Sequence, residues 1–128
     1  MKLNDAVELN LAADSGMMLV VRLTTAGVIA RAGLTMDVMD SLKMATEEAC
    51  NCLIGQENPP KRIGLCFRCE DDRLKIAVRA LDGIDATGSA DENELEVVRC
   101  ILESLADEVS IDARNGWIRS VELGAALA

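Results

Sequence analysis

Apolar and polar residues alternate over positions 5–12, Asp-Ala-Val-Glu-Leu-Asn-Leu-Ala, the period of a half-buried strand. Ser15-Gly16 interrupts it. Residues 17–32 fit two readings at their start, because Met17–Leu23 suits a strand or the first turns of a helix. The continuation Ala26, Val28, Ile29, Ala30, Ala32 favours a helix stopped by Gly33. Thr35 is a good N-cap, with Asp37 in the first turn to suit the helix dipole. Val38, Leu42, Ala45, Ala49 and Cys52/Leu53 recur at three- and four-residue steps, which predicts a helix over 35–54, ended by Gly55. Gln56–Pro60 is a loop stiffened by two prolines. Alternation around Ile63, Leu65, Phe67 and around Leu74, Ile76, Val78 predicts a β-hairpin of 62–70 and 73–81, turning at Asp71-Asp72. Residues 82–93 read as a polar loop. Leu95, Val98, Ile101, Leu102 and Leu105 place an amphipathic helix over 94–106. Strands 108–113 and 117–123 turn at Arg114-Asn115-Gly116. The order β-α-α-β-β-α-β-β implies an α+β fold in one domain, 1–128. It is a two-layer sandwich, a mostly antiparallel five-stranded sheet with three helices on one face.

Composition narrows the function. Of the 128 residues, 13 are Lys or Arg, 22 are Asp or Glu, and none is His, for a net charge of −9. Clustered cations are needed to neutralise phosphates, so a nucleic-acid partner is not expected. Phe67 and Trp117 are the only aromatics, too few for a base-stacking platform. Without His there is no Ser-His-Asp or Cys-His catalysis and no histidine-ligated metal. The longest apolar run, Met17–Val21, is too short to span a bilayer, and the acidic start resembles neither a signal nor a transit peptide. A cytoplasmic protein with no membrane partner is expected. Cys50, Cys52, Cys66, Cys69 and Cys100 are an odd set, read as free thiols that act as small buried hydrophobes. Cys66-Phe67-Arg68-Cys69 has metal-site spacing, but on a strand residues three apart face opposite sides.

Thr35-Met36-Asp37 and the run Lys43-Met44-Ala45-Thr46-Glu47-Glu48-Ala49-Cys50-Asn51-Cys52-Leu53-Ile54 resemble the second helix of the bacterial serine-kinase anti-sigma factors. These belong to the GHKL (histidine-kinase-like) ATPase superfamily. The likeness covers nearly the whole chain. The strand ending Val78-Arg79 sits where the family's strand precedes its first glycine box, and Leu105-Ala106-Asp107-Glu108-Val109 resembles its last helix entering a strand. The resemblance implies a Bergerat-type fold, ATP with Mg²⁺ as cofactors of an active member, and protein partners: a sigma factor, an anti-anti-sigma protein or a second copy.

The family's functional boxes are altered here. Its Glu-Ala-x-x-Asn box aligns with Glu48-Ala49, where the glutamate is the catalytic group, and puts Cys52 at the magnesium-binding asparagine. A thiol is a poor ligand for a hard cation. A one-residue shift restores the spacing with Glu47 and Asn51, but the stripe Ala45, Ala49, Cys52 should turn Asn51 away from the cleft. The Asp-x-Gly-x-Gly box, whose aspartate accepts from adenine, falls on Ala80-Leu81-Asp82-Gly83-Ile84, so Ala80 replaces the acceptor and Asp82 comes late. The phosphate-binding Gly-x-Gly falls on Glu96 and Val98, with Asp91, Glu92 and Glu94 adding negative charge at the helix start. Gly83–Ala90 is short for a lid. The expected function is an anti-sigma-factor-like regulator acting by protein–protein contact, with an eroded ATP site and no cofactor or metal. An active ATP-dependent serine-protein kinase is the alternative, and a small-ligand sensor using the emptied cleft is a third.

Overall fold

The structure is a computed structural model that describes residues 6–127. Its elements are β1 (Val7–Ala12), a 3₁₀ turn (Ser15–Met17), α1 (Met18–Ala32), α2 (Met36–Ile54), β2 (Arg62–Glu70), β3 (Arg73–Ala80), α3 (Glu92–Glu103), β4 (Glu108–Arg114) and β5 (Trp117–Ala126). The strands form one antiparallel sheet in the order β1-β2-β3-β5-β4. This is the α+β sandwich the pattern implies. The first residue of the expected strand 5–12, Asp5, lies outside the described residues.

Each turn has a local cause. Asp71 and Asp72 close β2–β3 with φ of 52° and 60°, and Asn115 and Gly116 close β4–β5 with 53° and 72°. Paired left-handed residues give a turn whose twist matches that of the strands. Thr35 caps α2 by accepting from the Val38 N–H at 3.4 Å. Gly33, at φ 76°, ends α1 in the left-handed conformation that favours glycine.

Several boundaries differ from expectation, most of all those of α3 and β5. α3 starts at Glu92, not at 94, because Asp91 accepts from the Glu94 N–H at 2.9 Å and two polar residues become the first turn. It stops at Glu103, and the Ser104 hydroxyl donates to the Ile101 carbonyl at 2.6 Å. β5 runs three residues past 123, since β3 offers it partners as far as Arg73↔Ala126.

Register decides which face each residue takes. Val7, Leu9 and Leu11 of β1 stand opposite Phe67, Leu65 and Ile63, and Leu74, Ile76 and Val78 continue that face across β3. Val21, Val28 and Ile29 of α1, Leu42, Ala45, Ala49, Cys50 and Leu53 of α2, and Leu102 of α3 cover it as one core. Each fully buried large side chain contributes about 1.5–3 kcal/mol. The reverse face of the sheet is polar. Arg68 bridges Glu70 and Glu122 at 3.1 and 3.0 Å, and Arg73 meets Glu108 at 2.7 Å. Cys69 packs at the core while Cys66 lies on the polar face, so the two thiols face opposite sides as their spacing requires.

α1 resolves the ambiguous segment as a helix. With the turn before it, Ser15–Ala32 reaches the length and mean hydropathy, 1.2, of a segment able to cross a membrane, which the short run Met17–Val21 did not suggest. Here Val21, Thr25, Val28, Ile29 and Ala32 are buried, most of them in the core shared with α2. Its other side leaves Leu19 and Leu23 exposed.

Candidate functional site

A cleft of about 340 Å³ opens between the C-terminal half of α2, the first half of α3 and the β4–β5 turn. Helix spacing puts Glu48, Asn51, Cys52 and Gly55 along one side of α2, at steps of three and four. Leu95 and Val98 of α3 and Ile118 of β5 are its apolar lining, and the lining Glu57 and Glu94 are exposed. None of the lining residues is Lys or Arg.

Several sequence expectations change here. Asn51 does not turn away; it lines the cleft beside both Glu48 and Cys52. The α2 stripe is wide enough for two adjacent positions to border one opening. Glu47, the glutamate of the shifted register, leaves the cleft and meets Arg22 of α1 at 2.6 Å. Glu96 also faces elsewhere, toward Arg99 at 3.9 Å and the Cys100 thiol at 3.8 Å. Of the acids near the start of α3, Glu94 is the one that lines the cleft, with Val98 one turn on. Ala80 packs at the core edge in register with Ile63, outside the cleft lining. Asp82 accepts from the Lys61 backbone N–H at 2.7 Å, and Gly83, φ 71°, lies against Trp117. The adenine-box positions therefore do not converge with Glu48 and Asn51 on this cavity.

Thiol environments follow burial. Burial, then Glu47 and Cys52, pushes the Cys50 thiol up to about 12. Burial and then Glu48 push Cys52 up to about 11. Both are held neutral near pH 7. Cys100, expected to be a packing residue, is exposed on α3. Among the described residues no three His, Cys, Asp or Glu side chains converge to hold a metal ion.

Two site features escaped the sequence reading. Gln56 ties the α2 end to β5: its Nε2 donates to the carbonyls of Leu53 and Ile118 at 3.2 and 3.1 Å, and its Oε1 accepts from the Ile118 N–H at 2.6 Å. The loop over the cleft is also clasped to the hairpin. Gly88 N–H donates to the Asn115 carbonyl and Ala90 N–H to that of Gly116, both at 3.0 Å. Asn58 adds a bond from Nδ2 to the Thr87 carbonyl at 3.1 Å, and its own carbonyl accepts from Trp117 Nε1 at 2.7 Å. The only sequence trace of the clasp is a glycine on each side of it.

A helix-covered antiparallel sheet with a cleft between its second and third helices is the frame of the histidine-kinase-like ATPases that the sequence resembles. Comparison with known proteins agrees. The chain is 30% identical to the serine-protein kinase RsbW of Staphylococcus epidermidis over 131 aligned positions, spanning 88% of this chain and 82% of that protein. Identity to RsbW of Staphylococcus aureus strain MSSA476 is 28% over 130 positions, and to RsbW of Halalkalibacterium halodurans 33% over 75 positions, 58% of this chain. No protein-family model matches. The chain belongs to the RsbW family of anti-sigma-factor serine-protein kinases.

Proposed function

We propose that this member is a non-catalytic regulator, an anti-sigma-factor-like protein of the cytoplasm that works by protein–protein contact and has lost its nucleotide site. A sigma factor, an anti-anti-sigma protein or a second copy of the chain is the partner implied by family. The start of α3 carries this reading. A helix N-terminus binds phosphate through free N–H groups and its positive dipole. Here Asp91 occupies the Glu94 N–H, and Glu92 and Glu94 set two more carboxylates in the first turn. Without Lys or Arg in the cleft lining, nothing offsets that charge against a triphosphate. Cys52 supplies no oxygen for magnesium, and Ala80 no acceptor for adenine.

Two unit charges about 4 Å apart interact by about 4 kcal/mol at an effective dielectric near 20. Micromolar affinity amounts to about 8 kcal/mol, so one carboxylate facing a phosphate removes much of it. Calorimetry with ATP and Mg²⁺ is expected to show no binding in the micromolar range. Micromolar binding by the unmodified chain overturns the reading.

The kinase reading keeps one observation in its favour: Glu48 and Asn51 line the same cleft. It requires transfer of phosphate from ATP to a serine of a partner protein, lost in Glu48→Ala.

A further inference from the structure

We propose that the cleft and the outer ridge of α3 together dock a basic amphipathic helix of a protein partner, with its apolar residues over Val97 and Ile101 and a lysine or arginine between Glu48 and Glu94. The proposal rests on the non-catalytic reading above and names what such a protein would bind there.

Residues 94, 97, 98 and 101 lie on one side of α3, at steps of three and four. Glu94 and Val98 line the cleft. Val97 and Ile101 continue the same ridge outward and are 60% and 44% exposed. The apolar surface therefore runs beyond the cavity, farther than a small amine reaches. Val97 and Ile101 set two β-branched side chains side by side on an exposed ridge, continuous with the cleft through Glu94 and Val98, which the apolar face of a partner helix can cover.

Charge selects the occupant. Glu48, Glu57 and Glu94 border the opening, and none of them has an ion-pair partner among the described residues. What sets these three apart is that they border one opening with no Lys or Arg in its lining. Burying three unpaired carboxylates under an acidic or neutral partner is costly, whereas a cation entering the cleft compensates them. A ridge with a groove beside it suits an amphipathic helix anchored at steps of three and four. The clasped loop keeps that groove at one width.

The test uses the full chain and a dye-labelled synthetic helix of leucine and lysine, about five turns long, read by fluorescence anisotropy. A scrambled peptide of the same composition and spermidine serve as comparators. The leucine–lysine helix is expected to bind more tightly than either. Val97→Asp with Ile101→Asp, and separately Glu48→Lys with Glu94→Lys, should each weaken it by about tenfold or more. Glu8→Lys with Asp112→Lys makes the same charge change on the polar face of the sheet and should weaken it far less. All substituted side chains are exposed or half-buried, and circular dichroism checks each fold; Glu48→Gln with Glu94→Gln is the milder pair. Equal binding of the scrambled peptide, or equal loss from the remote pair, means diffuse attraction to an acidic protein and overturns the proposal. Spermidine binding that matches the helix and ignores Val97→Asp with Ile101→Asp marks a small-cation site and overturns it too, as does no binding at all. ATP calorimetry on the same sample tells the two readings apart, because tight ATP binding removes the non-catalytic reading whatever the peptide does.

Discussion

Gly88→Ala is expected to lower stability by about 3 kcal/mol, roughly 10–15 °C in Tm for a domain of this size. A Cβ at Gly88 would lie 2.3 Å from the Gly116 carbonyl oxygen, 2.9 Å from its carbon and 3.1 Å from Trp117 Cα. All three are backbone atoms, so no side chain can swing aside. The loop must lift from the hairpin and give up its bonds to Asn115 and Gly116. Gly116→Ala meets the same obstacle from the other side, 2.5 Å from the Gly88 oxygen, and adds strain at φ 72°. Gly27→Ala is the contrast. It sits in α1 with nothing within 4 Å of its Cβ, and should raise stability by up to about 1 kcal/mol. Thermal unfolding followed by the fluorescence of Trp117 reads all three. A Tm for Gly88→Ala within a degree or two of the unmodified chain would show that the clasp is loose.

Alkaline solution should unfold the protein through Cys50. Its thiol ionises near 9 when unfolded and near 12 in the fold, raised first by burial and then by Glu47 and Cys52. Below about pH 9 both states hold the proton and the difference contributes fully to the stability. Between 9 and 12 the unfolded chain ionises first, so stability falls as pH rises. Three units correspond to about 4 kcal/mol at most. Cys52, raised to about 11, acts in the same direction. The informative quantity is the stability gap between the unmodified chain and Cys50→Ala, from urea denaturation. The gap should shift by several kcal/mol, against the unmodified chain, between pH 9 and 12. A constant gap sinks the assignment.

Periodic and local signals were legible in the sequence. α2 has a single buried stripe and a capping threonine, and both hairpin turns carry residues suited to left-handed backbone. α1 was ambiguous because Leu19 and Leu23 leave its exposed side as apolar as its buried one, so no period stands out. The start of α3 was misplaced because Glu92 and Asn93 look like loop until the Asp91 cap is seen. In the site, Glu48 and Val98 both line the cleft. The direction of Asn51, the diversion of Glu47 to Arg22 and of Glu96 to Arg99, and the Gln56 bonds to Ile118 depend on how helices sit in three dimensions. Gln56 and Ile118 are 62 positions apart, and no pattern along the chain joins them.

The strand order also dictates how the chain assembles. β2–β3 and β4–β5 are hairpins closed by two-residue turns, and β3–β5 joins them. β1 is different: among the described residues its sole neighbour is β2, and the whole α1–α2 pair intervenes before that partner arrives. Closing so long a loop is slow compared with closing a hairpin. β1 is thus expected to dock after the two hairpins, held at one edge by six register pairs from Val7↔Phe67 to Ala12↔Arg62. Native-state hydrogen exchange should find its amides opening with less free energy than those of β3, at the centre of the sheet. Equal protection of the two strands would mean that the sheet opens only as a whole. A strand that detaches this way uncovers Phe67 and Leu65 without unfolding the helices, so the N-terminal edge sets how often the core meets water.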